Sequence, residues 1–591
     1  MRRRLPAGDS AGASSRRRLP LWVVLVLALL ALPSPAQVNV LTYLNDNSRS
    51  GQNLQETVLS RSTVRSAGFG KVFSRAVDGY VYAQSLYRSD VTIPGRGVHN
   101  VVYVATEHDT VYAFDADSSD PPDDAPLWSV SFTSAAQGVS TVPSTELGCG
   151  VLVPEVGITG TPVIDEGTGT LYVVAKTKEP GRYVQRLHAL DVTDGAEKFG
   201  GPVEIVAAVA GSGDGNVGGN IAFDPFREIQ RTGLLLANGV VYMGWASLCD
   251  IGPYHGWVIG YDAATLQPVS VFNTTPDGGL GGVWESGAAP AADADGNVYL
   301  VTGNGSFDAD SGGRDYGDSV LKLRGATVVD FFTPFNEAAL SAADLDLGSS
   351  STLLLPDQPG AHRHLLVTAG KDATIYVVDR DDMGRRGAQD NRQIVQSIAG
   401  ALRGGVFGAA AYWNDSVYYV SVGDVPKAFQ LAGGRLSTSA RSQANTTFRY
   451  PGATPVISAN GAVEGILWAV EMDASQQLVL HAYDATDLSQ ELYDSAQAGE
   501  RGLGQAVKFT PPLVANGKVY VAGAERLTVF GVTSPAPTAT PSPTPARGPS
   551  GGGGCAVVLP AQTPSIMPVA LLVLCLLLRM RPVAQRRDRG R

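Results

Sequence analysis

Val102-Tyr103-Val104, a polar loop, and then Val111-Tyr112-Ala113-Phe114-Asp115-Ala116 form the stretch on which the reading of this 591-residue chain turns. Apolar and aromatic residues alternate with period two on both sides of the loop. Successive side chains of a strand point to opposite faces, so this is a pair of half-buried strands and not a helix. The pair returns with first strands at Leu171-Tyr172-Val173, Val241-Tyr242-Met243, Val298-Tyr299-Leu300, Leu365-Leu366-Val367, Val417-Tyr418, Leu467-Trp468 and Val519-Tyr520. The second strands often end in an acidic turn, as at Leu190-Asp191, Tyr261-Asp262-Ala263, Val378-Asp379 and Tyr483-Asp484. From Tyr103 to Tyr520 the repeat averages about 60 residues, long for a solenoid unit and suited to a four-stranded blade.

Another apolar segment precedes most of these pairs, as in Thr161-Pro162-Val163-Ile164-Asp165, Ala289-Pro290-Ala291-Ala292-Asp293, Thr454-Pro455-Val456-Ile457 and Pro511-Pro512-Leu513-Val514. Small residues and proline suit an innermost strand, where blades converge. The turns that follow, such as Asp295-Gly296-Asn297, carry hairpin chemistry. No stretch shows a helical apolar stripe. The fold expected is all-β: an eight-bladed β-propeller of four-stranded blades over residues 37–532. The eighth repeat ends near Val532 without a fourth strand, and the segment Lys71-Val72-Phe73-Ser74-Arg75-Ala76-Val77 stands spare before the first. It is expected to supply the outer strand of the last blade, which removes the open edges of the array.

The two ends read as processing and tethering segments. Arg16, Arg17 and Arg18 precede an apolar run from Leu21 to Leu32 and small residues up to Ala36. Residues 1–36 therefore read as a secretory signal cut after Ala36, the run being short for a transmembrane anchor; Ser15-Arg16-Arg17 and Leu19 give a partial twin-arginine pattern. Residues 533–554 form a Pro/Thr/Gly-rich stalk. Residues 555–591 hold an apolar run, Met567 to Leu578, and a basic tail. They read as a C-terminal sorting signal processed around Gly554 and Cys555, or as a short membrane anchor with its charges on the cytoplasmic side. The expected location is the periplasm or cell surface. An exported chain keeps disulfides, so Cys149 and Cys249 are expected to pair, the alternative being two separate thiols. There is no CxxCH for covalent haem and no paired CxxC for zinc. A net charge of −11 excludes a nucleic-acid surface, which needs a basic patch.

The repeats, together with Asn45-Asp46-Asn47-Ser48-Arg49-Ser50-Gly51-Gln52-Asn53, Val77-Asp78-Gly79-Tyr80-Val81-Tyr82-Ala83-Gln84, Gly157-Ile158-Thr159-Gly160-Thr161-Pro162, Gly252-Pro253-Tyr254-His255-Gly256-Trp257, Val301-Thr302-Gly303-Asn304-Gly305 and Leu353-Leu354-Leu355-Pro356-Asp357-Gln358-Pro359-Gly360, resemble exported bacterial propellers of the pyrroloquinoline-quinone (PQQ) repeat type, in the quinoprotein alcohol dehydrogenase-like superfamily. The resemblance covers nearly the whole mature chain. It implies the fold, and it brings PQQ and calcium into view as cofactors. The chain departs from the dehydrogenases in lacking their adjacent Cys–Cys pair and their recurrent Gly-and-Trp docking motif, of which only Leu127-Trp128 looks like a remnant. Their calcium ligands and catalytic Asp have no counterpart placed by motif. A shared fold does not carry an activity with it.

In a propeller whose innermost strand comes first, loops between second and third strands share a face with loops between blades. The first set brings Glu107-His108-Asp109, Asp250, His255, Asn304, Asp308 with Asp310, Lys371-Asp372 and Asp424 to one mouth; the second brings Glu155, Arg231, Trp284-Glu285 and Arg403. A concave site with a few converging polar groups is the default binding site. Each residue also has a plainer reading. His108 and His255 serve equally as loop histidines holding carbonyls, Trp284 as a packing cap, and Lys371 as half of a salt bridge. Glu107/Asp109 and Asp308/Asp310 offer oxygen ligands for calcium or are merely solvated. Asp293-Ala294-Asp295-Gly296-Asn297 opens like a calcium loop but lacks the Glu at position twelve. The function expected first is a non-catalytic binding or scaffold module that takes a small molecule, glycan or envelope protein on the polar axial face, tethered to a membrane at its C-terminus. The alternative is a PQQ- and calcium-dependent oxidoreductase acting on alcohols or sugars; a hydrolase has no motif behind it.

Overall fold

The computed structural model describes residues 37–118, 125–150, 152–500 and 503–533. The signal, the sorting segment and all of the stalk but Thr533 lie outside the described residues. Branched and aromatic residues at alternate positions of Gly97–Ala105 and Thr110–Asp115 pair antiparallel from Val101 opposite Asp115 to Ala105 opposite Val111. Leu86–Ile93 joins them on the inside and Trp128–Ser131 on the outside, completing blade 1. Seven further sheets repeat this order over residues 163–204, 235–273, 291–333, 353–398, 411–443, 456–494 and 513–532. The molecule is an eight-bladed, almost all-β propeller; the α-helices among the described residues are the short Arg61–Arg65 and Glu337–Ala342.

The ring closes as expected. In blade 8, Leu513–Ala515 lies inside Lys518–Val532, and the outer strand is Phe69–Tyr80, paired antiparallel from Phe69 opposite Val532 to Tyr80 opposite Ala524. Packing between sheets is apolar and continuous, as in the cluster that joins Phe73, Val102, Val104 and Phe114 to Leu513, Tyr520 and Val529 across the closure.

In four blades the tyrosine of the repeat ties its sheet to the next. Tyr103 Oη donates to Val192 O at 3.0 Å, Tyr172 to Ala263 O at 2.7 Å, Tyr418 to Ala485 O at 2.9 Å and Tyr520 to Ala116 O at 3.1 Å. Each acceptor directly follows the acidic residue that ends a third strand. Those acidic residues hold their own turns: Asp115 Oδ1 accepts from Asp117 N at 2.7 Å, Asp191 from Thr193 N at 2.9 Å and Asp484 from Thr486 N at 2.9 Å. This is Asx-turn chemistry.

A feature that the repeats did not announce closes one end of the axis. The segment ahead of blade 1 passes the inner strands in order. Val40 bridges Tyr87 of blade 1, and Leu41 O accepts from Ile164 N of blade 2 at 2.8 Å. Asn47 Nδ2 donates to Leu236 O of blade 3 at 2.9 Å, and Asn47 O accepts from Ala292 N of blade 4 at 2.8 Å. Ser48 O accepts from Leu354 N at 2.9 Å, Ser50 O from Tyr412 N at 2.8 Å and Gly51 O from Ile457 N at 2.7 Å, in blades 5, 6 and 7. Asn53 Nδ2 reaches Val514 O of blade 8 at 3.2 Å. Arg49, fully buried at the centre, donates to Pro290 O, Thr42 Oγ1, Tyr43 O and Asp46 O. Residues 40–53 are an axial plug.

Candidate functional site

With one end plugged, the other mouth is built from the loops that strand order assigns to it. Each inter-blade loop from blade 2 onward contributes a side chain to one cavity of about 270 Å³: Arg231, Trp284 and Ser286, Asp344 with Asp346 and Ser349, Phe407, Tyr450, and Lys508 with Phe509. The second-to-third-strand loops add Asp250 and Lys371. Its size is at the lower end for a ligand cavity.

The walls divide by chemistry. On one side aromatic rings cluster: Phe407 and Phe509 lie 5.8 Å apart at 21°, and Tyr450 sits edge-on to Phe407 at 5.4 Å. Trp284 meets the buried Tyr254 edge-on at 6.2 Å. Arg231 lies over Phe509 at 5.0 Å and the Lys508 ammonium at 5.5 Å from the same ring. Arg231 is 5% exposed, and its buried Nε has no hydrogen-bond partner. Burial pulls its pKa below the usual arginine value; Lys508 is pushed down to about 8 by burial, with the charge of Arg231 adding to the effect. These two cations face the cavity with no carboxylate bonded to them among the described residues.

On the other side the charges are matched. Lys371 bonds Asp344 at 2.8 Å and also Asp346. Burial opposes its charge, but Asp346 and Asp344 outweigh it and hold the pKa above the lysine value. Asn304, behind this pair, donates its backbone N–H to Asp346 at 2.8 Å and its side-chain amide to Asp344 at 3.1 Å, while its Oδ1 is buried without a partner. Asp250 accepts from the Tyr254 hydroxyl, and burial raises its pKa. Ser286 of the lining and Glu285 just behind it both adopt positive φ, of 46° and 43°, held strain of the kind that collects at functional sites. Glu285 is fully buried, and burial raises its carboxyl to about 8.

Of the residues chosen from the sequence, Arg231, Asp250, Trp284 and Lys371 line this cavity, with Glu285 and Asn304 just behind it. The others stand elsewhere. Glu107 is buried between blades 1 and 2, accepting from Gly157 N at 2.7 Å and Thr159 Oγ1 at 3.1 Å. Asp109 beside it is fully buried with both carboxylate oxygens unpartnered. His108 bonds Glu155 at 2.8 Å, and Glu155 also takes the Thr141 hydroxyl. His255 holds backbone carbonyls, Thr275 O at 3.0 Å and Asp214 O at 2.8 Å. Asp308 accepts from Asp315 N at 2.9 Å within its own loop, and Asp310 pairs with Arg386 at 2.8 Å. Asp372 accepts from the Tyr376 hydroxyl at 2.7 Å; Arg403 is largely exposed, 3.9 Å from Asp424. Missed were Asp344, Asp346, Phe407, Tyr450, Lys508 and Phe509. All lie in inter-blade loops, so the face-sorting rule contained the signal, but no motif marked them.

Cys149 and Cys249 form a disulfide with Cα atoms 5.9 Å apart. It joins the loop after blade 1 to the blade 3 loop that carries Asp250. A larger groove of about 490 Å³ lies where the plug residues Asp46, Ser48, Ser50 and Gln52 meet blades 4 to 6. There His364 pairs with Asp381 at 2.8 Å and Arg380 with Asp293 at 3.7 Å. No helix among the described residues is long and apolar enough to cross a membrane.

No family model and no curated protein matches the chain. Solved structures do. A quinohemoprotein alcohol dehydrogenase of Pseudomonas putida aligns with TM-score 0.56 and 14% identity over 86% of this chain and 82% of its own. One from Comamonas testosteroni aligns at 0.54 and 14%, again over 86% and 82%. A europium-containing methanol dehydrogenase aligns at 0.57 and 12% over 84% of this chain and 98% of its own. At these identities the likeness establishes the eight-bladed propeller fold and nothing finer.

Proposed function

We propose that the axial cavity binds a small planar anion and that the protein is a quinoprotein-type oxidoreductase acting on alcohols or sugars, with PQQ as its cofactor. The observation that carries this reading is the pair Arg231 and Lys508. A buried guanidinium Nε without an acceptor, as in Arg231, is costly, and this group with the half-buried Lys508 ammonium against the same aromatic ring matches a ligand that is both flat and multiply anionic. The quinoprotein-type fold supports the same choice.

The residues present fit PQQ in kind. Arg231 and Lys508 would offset its carboxylates, and Trp284, Phe407, Tyr450 and Phe509 offer apolar surface to its rings. When bound, it supplies a two-electron acceptor for an alcohol carbon. The chain itself supplies a carboxylate with raised pKa, Asp250, suited to take a proton from a substrate hydroxyl. Asp344, Asp346 and the unpartnered Asn304 Oδ1 are oxygen donors of the kind calcium takes, with Lys371 now between the two carboxylates. With the export signal and tether expected at the two ends, this chemistry would take place outside the cytoplasm.

A second reading, a binding module without turnover, rests on the cysteines. They bond to each other over a separation of 100 residues, not as an adjacent pair. One titration separates the two. PQQ, with and without Ca²⁺, is expected to quench tryptophan fluorescence, and the loaded protein to reduce an artificial dye with alcohols or sugars. Arg231→Ala and Lys508→Ala should each weaken binding about 10- to 100-fold, the worth of a charge-assisted hydrogen bond. Binding without dye reduction leaves the binding module. No binding at millimolar PQQ overturns both the cofactor and the enzyme.

A further inference from the structure

The groove where the plug meets blades 4 to 6, at the end of the axis away from the cavity, lies where the repeat departs from its own pattern. In four blades the residue after the acidic end of the third strand is small and apolar: Ala116, Val192, Ala263 and Ala485. Its carbonyl takes the repeat tyrosine of the blade before. In blade 5 the third strand Ile375–Asp379 is followed by Arg380. Tyr299, the repeat tyrosine of blade 4, donates its hydroxyl to Asp293 at 2.8 Å. Lys322, directly across the ladder from Tyr299, takes over the tie and donates to Arg380 O at 2.7 Å. The junction stays closed and gains a guanidinium.

Arg380 is 8% exposed, lies over the Tyr299 ring at 5.7 Å and lines this groove of about 490 Å³, a volume ordinary for a small-molecule site. A guanidinium has five N–H donors. Leu365 O takes Nε–H at 3.2 Å, while Asp293, 3.7 Å from Nη1, and the Tyr299 hydroxyl engage two more at most. Two donors are left over, and a buried charge with open donors is costly. Open groups face it in the same groove. Asp295 bonds through its backbone N–H alone, to Asp293 at 3.1 Å, so its exposed carboxylate is available. On the plug wall the Ser48 hydroxyl and the Gln52 amide, both half-buried, make no hydrogen bond among the described residues. Charge then selects the occupant. Five aspartates line the groove against Lys322, Arg380 and His364, so an anion meets an excess of negative charge and a cation meets Arg380. A sugar hydroxyl carries one donor and two acceptor sites, and neighbouring hydroxyls can bridge a carboxylate and a guanidinium without adding charge.

We propose that this groove binds a neutral carbohydrate. Arg380 donates to its oxygens, Asp295 accepts from its hydroxyls, and Ser48 and Gln52 complete the site from the plug. The site is separate from the axial cavity and does not rest on what that cavity binds.

The test titrates full-length protein with glucose, galactose, mannose and N-acetylglucosamine, followed by saturation-transfer NMR and calorimetry, with citrate and spermidine as anionic and cationic probes. At least one sugar should bind with a millimolar Kd, and neither charged probe should displace it. Arg380→Ala should weaken binding about 10- to 100-fold and Asp295→Ala about tenfold, the worth of charge-assisted hydrogen bonds, each with unchanged circular dichroism. Arg231→Ala, in the axial cavity, should leave it unchanged. Absence of sugar binding at tens of millimolar overturns the proposal. So does binding that Arg231→Ala abolishes and Arg380→Ala spares, which assigns the sugar to the axial cavity, or displacement of the sugar by citrate or spermidine, which assigns the groove to a charged ligand. Should Arg380→Ala fail to fold, Asp295→Ala at its exposed turn and Arg380→Lys, which keeps the charge and loses the fork, decide by the same criterion of about tenfold weaker binding.

Discussion

Tyr172 shows why the repeat has the residues it has. Its ring packs between blades 2 and 3, and its hydroxyl satisfies Ala263 O, the carbonyl just past the acidic end of the neighbouring third strand. Tyrosine is therefore kept for its oxygen as well as its bulk. Tyr172→Phe should leave that carbonyl unpaired and cost about 1–2 kcal/mol, read as a lower urea midpoint with unchanged slope. Glu285 makes the opposite case, a group held in its unfavoured state. Burial raises its carboxyl from 4.5 to about 8. The folded chain keeps a proton that the unfolded chain releases near pH 4.5, so this contribution is complete below about pH 4.5 and is lost as pH rises toward 8. Asp318, also raised to about 8 by burial, adds to the same slope. Glu285→Gln should flatten the fall in stability between pH 5 and 8 and make the protein more stable than wild type by at least about 1 kcal/mol at pH 8.5. Chemical denaturation at both pH values checks this.

The plug is the element whose role exceeds its length. Residues 40–53 form hardly any regular structure, yet they bond the inner strand of every blade. The eight inner strands present backbone groups to the axis that would otherwise need water or a partner. Arg49 braces the plug from one planar group, bonding Thr42, Tyr43 and Asp46 within it and Pro290 O beside the inner strand of blade 4. Arg49→Ala should cost about 3–5 kcal/mol, because four acceptors lose their donor in a dry site. Heat capacity scans and limited proteolysis near residues 37–60 would show it. Removing residues 38–56 should cost more and expose the axis from both ends. The sequence displayed the plug motif Asn45-Asp46-Asn47-Ser48-Arg49-Ser50-Gly51 only as a family mark. Nothing in its pattern, neither period two nor helical, says where an irregular segment will lie.

Around the whole ring, neighbouring sheets bury one another and no sheet stands alone. Closure by Phe69–Tyr80 makes the first and last repeats mutually dependent. The disulfide adds a second long-range tie, spanning 100 residues from the loop after blade 1 to blade 3. The double variant Cys149→Ser/Cys249→Ser should lose about 2–4 kcal/mol of stability by the entropy of that loop. It should also loosen the wall around Asp250. A melting point unchanged within a degree would show that the ring alone fixes these loops.

Fold and closure were readable from Val102–Ala116 and its seven copies because they depend on local alternation, turn chemistry and repeat length, which neighbours in the chain specify. The face on which the axial cavity opens followed from strand order alone, and four residues chosen that way, Arg231, Asp250, Trp284 and Lys371, do line the cavity. Its other half was not readable. Phe407, Tyr450, Lys508 and Phe509 meet from loops up to about a hundred residues apart, and whether a charge there is paired, as Lys371 is, or left open, as Arg231 is, depends on distances of a few ångströms across the axis. Such distances are fixed by how eight sheets pack, a property of the closed ring that no single repeat contains.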